Sequence, residues 1–154
     1  MQRRQFVTLA SHTTAVLAAP VFMRNAWAQE GGITGKTLTI GCSTALSGPL
    51  AGFGKDTKQG AEAALAHINA QGGVHGRTLQ FHMVDDGYVP QRTADNVKQM
   101  IGQGSAFALL SCLGTPNNAA ILPLNEKTGN PYEAPLTGAS SLHKRGRHVY
   151  HVRA

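Results

Sequence analysis

Short apolar segments alternate with helical segments along most of this chain, and that alternation restricts the fold more than any other feature. The apolar, β-branched segments that indicate strands are residues 37–42, 77–84, 105–112 and 131–135. Apolar residues three and four positions apart indicate helices at residues 55–70 and 91–102. With a third helix before the last strand, the order β-α-β-α-β-α-β predicts an α/β fold, a parallel doubly wound sheet with right-handed crossovers.

The third helix is predicted from its terminal residues. Thr115 is a good N-cap and Pro116 a good first helical residue. We expect Pro123 to break or kink this helix after two turns, and Gly129 to end it. A final strand is possible at residues 148–152.

The two cysteines belong to predicted central strands. If the first strand lies between the second and the third, Cys42 and Cys112 lie near each other. A disulfide between adjacent parallel strands requires unusual geometry. We therefore expect two buried free thiols.

Small polar residues follow the predicted strands. In an open α/β sheet, ligands bind beyond the carboxyl ends of the strands. The loops expected there are residues 43–54, 85–90, 113–116 and 136–141, three of them rich in Gly, Ser and Thr. The loop at Thr115 also presents the free N–H groups of a helix N-terminus, which favour a carboxylate. A small-ligand site is predicted at this edge.

The N-terminus has the pattern of an export signal. Arg3 and Arg4 precede a mildly apolar stretch, residues 6–22, and Ala26-Trp27-Ala28 has the form of a cleavage site. We predict a cleavable signal peptide over residues 1–28 that resembles the twin-arginine type, followed by a Gly-rich linker, residues 29–36. The apolar stretch is too short and too polar to span a bilayer. The mature protein is expected in the periplasm.

The net charge of +6 comes from the two ends of the chain. Residues 29–143 carry seven basic against eight acidic residues. Nucleic-acid-binding surfaces need basic residues clustered on one face, so no nucleic-acid partner is expected.

Three other patterns lack the context that their chemistry needs. The Gly-rich residues 31–37 precede a strand, whereas a phosphate-binding loop follows one. Asp85 and Asp86 are adjacent on an extended chain and point apart, so one should cap the next turn rather than share a catalytic proton or a metal. The tail histidines, with no cysteine or carboxylate beside them, are His143, His148 and His151. We expect no metal, no cofactor and no catalysis.

Several stretches resemble one protein family. They are Ile40-Gly41, Ser47-Gly48-Pro49-Leu50-Ala51, Gly54, Gly60-Ala61, Ile68 to Arg77, Asp85-Asp86, Asn96-Val97, Leu113-Gly114-Thr115-Pro116 and Ala134 to Ala139. Over residues 36–154 the chain resembles the branched-chain amino-acid-binding proteins of ABC transporters, which have the type 1 periplasmic binding fold. The run I-N-A-x-G-G-V-x-G-R, here residues 68–77, is specific for that family.

The resemblance implies a receptor that closes two α/β lobes on a small amino acid or similar carboxylate and delivers it to a membrane permease. In that family Phe53 would pack beside the ligand and Thr115 would receive the α-carboxylate. The segment Leu136 to Gly138 would hold the carboxylate and the ammonium. The candidate ligand-binding residues are Ser47, Phe53, Gly114, Thr115, Leu136, Thr137 and Gly138.

The chain departs from the family in three respects. Glu133 lies in a predicted buried strand, where an unpaired carboxylate is costly, and residues 142–148 are unusually basic. The chain also ends before a hinge and second lobe, so residues 37–154 are expected to be an incomplete N-terminal lobe that need not fold or bind alone. A sensor feeding a regulator and an exported α/β enzyme remain alternatives, although the G-x-S-x-G elbow of hydrolases does not occur.

Overall fold

A five-stranded parallel sheet forms the centre of the molecule. The computed structural model describes residues 31–143 and 146–152. The predicted signal peptide, its cleavage after Ala28 and part of the basic tail lie outside these residues. The strands are β1 (Thr37–Thr44), β2 (Thr78–Asp85), β3 (Ala108–Leu110), β4 (Tyr132–Glu133) and β5 (Val149–Tyr150). Their order is β2-β1-β3-β4-β5, all parallel, so the predicted class is confirmed, and β1 lies between β2 and β3, the arrangement under which the two cysteines were expected to meet.

In the described part of the chain, four helices connect these strands. They are α1 (Ala51–Ala70), α2 (Pro90–Gly102), α3 (Thr115–Thr128) and α4 (Ser140–His143). α1 begins four residues before the predicted start because Gly54, read as a loop residue, is helical and buried. A Cβ at Gly54 would lie 2.1 Å from the carbonyl oxygen of Ala45, so only glycine lets the helix start this close to the end of β1. Within the described residues, no helix is both long and apolar enough to cross a membrane.

Pro123 does not break α3, which continues to Thr128, and the left-handed Gly129 ends it as expected. The predicted N-cap of the helix is wrong. Its N-cap is Gly114, with φ 97°, while Thr115 is already helical. The hydroxyl of Thr115 bonds the hydroxyl of Thr137 rather than an N–H of the first turn, which explains why Thr115 does not act as the cap.

The third and fourth strands are shorter than predicted. β3 stops at Leu110 because Ser111, with a φ of 51°, interrupts the regular ladder, and pairing resumes at the bridge between Leu113 and Leu136. In β4, Tyr132 is buried, but Glu133 faces solvent, so its carboxylate carries no burial cost. The predicted loop at residues 136–141 ends in the short helix α4, which is anchored by the buried Leu142.

The core lies between the sheet and helices α2 and α3, which pack against each other. Its fully or nearly fully buried members are Cys42, Val97, Met100, Ala106, Leu109, Cys112, Ile121 and Tyr132. Residues 31–36, predicted as a linker, lie against this body: the N–H of Gly32 donates to Gly104 over 2.6 Å. The helices and strands therefore form one body around a single sheet. The loops of interest lie at the carboxyl edge of this sheet.

Cys42 and Cys112 are close neighbours, as predicted from the strand order. Both are free and fully buried. The N–H of Ser43 lies 3.5 Å from the sulfur of Cys112, and the thiol of Cys42 lies 3.8 Å from the carbonyl oxygen of Ser111. The hydrogen bond with Cys112 and then burial raise the pKa of Cys42, so its thiol stays protonated and unreactive.

Candidate ligand-binding site

The loop after β1 is tied to the end of β2 by Asp85. Its carboxylate accepts hydrogen bonds from the N–H of Leu46 at 2.8 Å, from the N–H of Ser47 at 3.2 Å and from the hydroxyl of Ser47 at 2.7 Å. The N–H of Gly87 adds a fourth at 2.9 Å. These donors, the Ser47 hydroxyl first, lower the pKa of Asp85 to about 2. Asp85 is thus a structural anion at neutral pH rather than a proton acceptor for catalysis.

Asp86 is completely buried and joins three segments. Its carboxylate accepts from the hydroxyl of Ser43 at 2.9 Å, the hydroxyl of Thr93 at 2.8 Å and the N–H of Tyr88 at 2.8 Å. A buried carboxylate needs such donors, because an unpaired one is costly. The prediction that one of the two aspartates caps the turn after β2 is confirmed, and in fact both do.

The loops after β3 and β4 run side by side. Leu113 and Leu136 form an isolated parallel bridge. The N–H of Leu136 donates to Cys112 at 3.0 Å, and the N–H of Gly114 donates to Leu136 at 3.1 Å. Beyond this bridge, the hydroxyls of Thr115 and Thr137 share a hydrogen bond of 2.8 Å. Thr115 is exposed and Thr137 is 4% exposed, so the pair joins the surface of this edge to its interior.

A buried amide side chain fixes the loop after β3 through its backbone carbonyls. The side chain of Asn118 donates to the carbonyls of Cys112 at 2.9 Å and Gly114 at 2.7 Å, and it accepts from the hydroxyl of Tyr132. Burial raises the pKa of Tyr132, so this hydroxyl remains protonated and can donate. The backbone that leads into Thr115 is therefore fixed by two side chains from α3 and β4.

Gly114 and Tyr88 meet at the same edge. A Cβ on Gly114 would lie 2.4 Å from Cε2 of Tyr88, so the ring occupies the space of any side chain there. Tyr88 itself has a left-handed backbone, with φ 64°. Sequence reasoning placed Tyr88 in an edge loop but did not select it. The available signal was an aromatic residue directly after Asp-Asp-Gly, in a loop expected to face a ligand.

The structure brings most of the predicted residues to one edge. Gly114, Thr115, Leu136 and Thr137 are joined by hydrogen bonds, and Gly138 follows in an open, exposed position. Ser47 is also at this edge, but its hydroxyl is engaged by Asp85. The remaining candidate, Phe53, lies in the first turn of α1 and is 57% exposed.

The N-terminus of α3 beside two hydroxyls can bind an anionic oxygen. N–H groups of a first helical turn have no partner within the helix and carry partial positive charge. A cavity of about 200 Å³ lies elsewhere, beside β2 and α2, and none of the predicted site residues lines it. No group of three or more potential metal ligands occurs within the described residues.

Comparison with known proteins decides the family. A family model described as "Periplasmic binding protein" matches residues 37–154. The chain belongs to this periplasmic binding protein family. A similar curated protein is the Leu/Ile/Val-binding protein BraC3 of Rhizobium johnstonii, 27% identical over 143 residues, which cover 91% of this chain and 36% of that protein.

Two solved structures show the same fold. The branched-chain amino acid transporter substrate binding protein LivJ of Streptococcus pneumoniae, in complex with isoleucine, matches 74% of this chain and 33% of its own, with a TM-score of 0.69 and 26% identity. The fatty acid ABC transporter substrate-binding protein of Thermomonospora curvata matches 74% and 28%, with a TM-score of 0.67 and 30% identity. The present periplasmic binding protein spans about a third of the length of these relatives.

Proposed function

We propose that this protein is the substrate-binding component of an ABC transporter and binds a small carboxylate, such as a branched-chain amino acid, at the carboxyl edge of its sheet. The observation that carries the proposal is the Thr115–Thr137 hydroxyl pair at the N-terminus of α3. When Thr137 donates the shared hydrogen bond, the hydroxyl proton of Thr115 is left for a carboxylate oxygen, next to the free N–H groups of the first turn.

The ligand class is supported by the relatives. Isoleucine and a fatty acid, named for the two solved structures, share a carboxylate and an apolar remainder. In our proposal, Thr115, Thr137 and the backbone around Gly114 receive the carboxylate. The segment Leu136 to Gly138 also faces an ammonium if one is present, and Phe53 packs beside the apolar part. The engaged hydroxyl of Ser47 acts mainly by holding its loop.

The wider role is proposed on the same basis. Residues 1–28 would direct export to the periplasm and be removed after Ala28, residues 29–36 would lead into the fold, and residues 37–154 would form an N-terminal ligand-binding lobe. Binding would occur by closure of this lobe against a second one, and the loaded protein would dock on a membrane permease. No catalytic step is proposed.

A thermal-shift panel tests this function. The full chain is melted alone and with L-leucine, L-isoleucine, L-valine, L-phenylalanine, decanoate and, as a control without a carboxylate, isoleucinol. Because a ligand that binds only the folded state stabilises it, a carboxylate at 100 times its dissociation constant should add about 2.7 kcal/mol to the free energy of unfolding. A melting temperature unchanged by every carboxylate would contradict the proposal.

A further inference from the structure

We propose that Tyr88 is a specificity-determining residue of this site: its ring contacts the apolar part of the ligand, and its hydroxyl donates a hydrogen bond to the ligand's carboxylate. This inference rests on the function proposed above. Tyr88 lies in the turn between β2 and α2, outside the segments that carried the family resemblance.

The position of the ring is the first observation. Measured from the point where a Cβ on Gly114 would stand, Cε2 of Tyr88 is at 2.4 Å and its hydroxyl oxygen at 2.8 Å. The phenol end of the ring therefore lies over Gly114, one residue before Thr115. The ring and the proposed carboxylate seat are adjacent parts of one surface.

The free hydroxyl is the second observation. Tyr88 is half-buried, yet its hydroxyl makes no hydrogen bond with another residue that the structure describes. By contrast, the buried hydroxyl of Tyr132 bonds Asn118. A phenol that packs on a loop and leaves its donor unused can offer that donor to a ligand.

The third observation is that the backbone holds Tyr88 in a costly conformation. A left-handed φ of 64° is unfavourable for a bulky residue and persists only where the surroundings impose it. Here they do, because the N–H of Tyr88 donates to the buried Asp86 and the N–H of Val89 donates to the carbonyl of Asp86. The backbone that carries the ring is thus fixed before any ligand arrives, which favours selective contacts.

A purely structural role for the ring, as a prop under the Gly114 loop, makes a different prediction. Tyr88→Phe keeps the ring and its packing and removes only the hydroxyl. If Tyr88 is only a prop, this variant binds like the wild type. If the hydroxyl contacts the ligand, the variant binds about three to ten times more weakly.

The experiment is calorimetric titration of the full chain with L-isoleucine, L-phenylalanine and decanoate. The variants are Tyr88→Phe, Tyr88→Leu and, as a matched control, Tyr150→Phe, which alters an exposed tyrosine on β5 at the other side of the sheet. We expect Tyr88→Phe to weaken the tightest probe about three- to tenfold and Tyr150→Phe to leave it unchanged. Tyr88→Leu should change the ratio of the isoleucine and phenylalanine dissociation constants at least about threefold.

The possible outcomes distinguish a failure of this inference from a failure of the proposed function. A ratio measured on one variant does not depend on how much of that variant is folded, so poor folding of Tyr88→Leu cannot produce the expected change. Wild-type binding with no change in Tyr88→Phe and no change in the ratio overturns the role of Tyr88 and leaves the proposed function standing. If none of the three probes binds the wild type, both are overturned.

Discussion

Gly114 stands at the point where the loops of this edge come closest together. Its φ of 97° is a conformation that side chains disfavour, and the ring of Tyr88 fills the space where a Cβ would be. Its N–H and carbonyl are both used, the first by Leu136 and the second by Asn118. The site therefore depends on a residue that has no side chain, and the sequence alone does not show why glycine is needed at this position.

Replacement of this glycine should be costly. We predict that Gly114→Ala lowers the free energy of unfolding by about 2–4 kcal/mol, through backbone strain and the clash with Tyr88. Gly138→Ala is the matched control, since nothing lies within 4 Å of its Cβ position and its φ is not positive. It should change stability by less than about 0.5 kcal/mol. Urea unfolding measures both, and equal losses in the two variants would refute this account of Gly114.

Asp85 predicts an acid dependence of stability. Its pKa is lowered to about 2, so its interactions stabilise the fold fully above the ordinary carboxyl range near 4 and are lost as the pH falls towards 2. We expect the melting temperature of the wild type to fall more steeply between pH 4 and pH 2 than that of Asp85→Asn. Asp56→Asn, an exposed change on α1, should follow the wild-type slope. Parallel curves for the wild type and Asp85→Asn would show that Asp85 is not the group responsible.

Among the helices and strands, α3 carries the candidate site at its N-terminus and a residue that disfavours helix in its interior. Pro123 lies in its interior, where proline removes one helical hydrogen bond and crowds the carbonyl four residues earlier. The helix is nevertheless continuous, because it is fixed at both sides of the proline by the buried residues Asn118, Ile121 and Asn125. Tertiary packing thus outweighs the tendency of proline to end a helix.

Removing this proline should stabilise the helix. Because Pro123 is exposed, Pro123→Ala changes little packing and should raise the free energy of unfolding by about 1–2 kcal/mol, after allowing for the more flexible unfolded chain. The matched control is Pro90→Ala at the first position of α2, where proline is favoured and no gain is expected. Guanidinium unfolding of the two variants is the measurement. A Pro123→Ala variant no more stable than the wild type would contradict the account.

The elements were predictable because each follows from a local pattern. The order of strands and helices along the chain follows from hydrophobic periodicity, whereas the position of β1 between β2 and β3 was assumed rather than predicted. The ends of β3 and the start of α1 were not predictable, because they depend on the φ of Ser111 and on the approach of Gly54 to Ala45. Such features arise from contacts that no local window contains.

The same distinction holds for the candidate site. The sequence places Thr115 and Thr137 at one edge of the sheet, and in the structure their hydroxyls share a hydrogen bond of 2.8 Å. Sequence reasoning could not find Tyr88, which contributes through its position over Gly114, or the partners of Asp86, which come from β1 and α2. Interactions between residues distant in sequence become visible only once the sheet is assembled.

On the scale of the whole molecule, the sheet gathers the loops of four strands at one edge. Asp85 and Asp86 fix the loops after β1 and β2, while Asn118 and the Leu113–Leu136 bridge fix those after β3 and β4. These contacts hold the four loops in place without a ligand. The chain spans about a third of the length of its relatives. We propose that this edge binds a carboxylate through Thr115.

Calorimetric titration of Thr115→Ala with the carboxylate that gives the largest thermal shift tests that claim most directly. We predict that the variant loses about 1–3 kcal/mol of binding free energy, a five- to 150-fold weaker dissociation constant, because the carboxylate loses a hydroxyl partner. Thr128→Ala, an exposed threonine at the other end of the same helix, should bind like the wild type. An unchanged dissociation constant in Thr115→Ala would contradict the account.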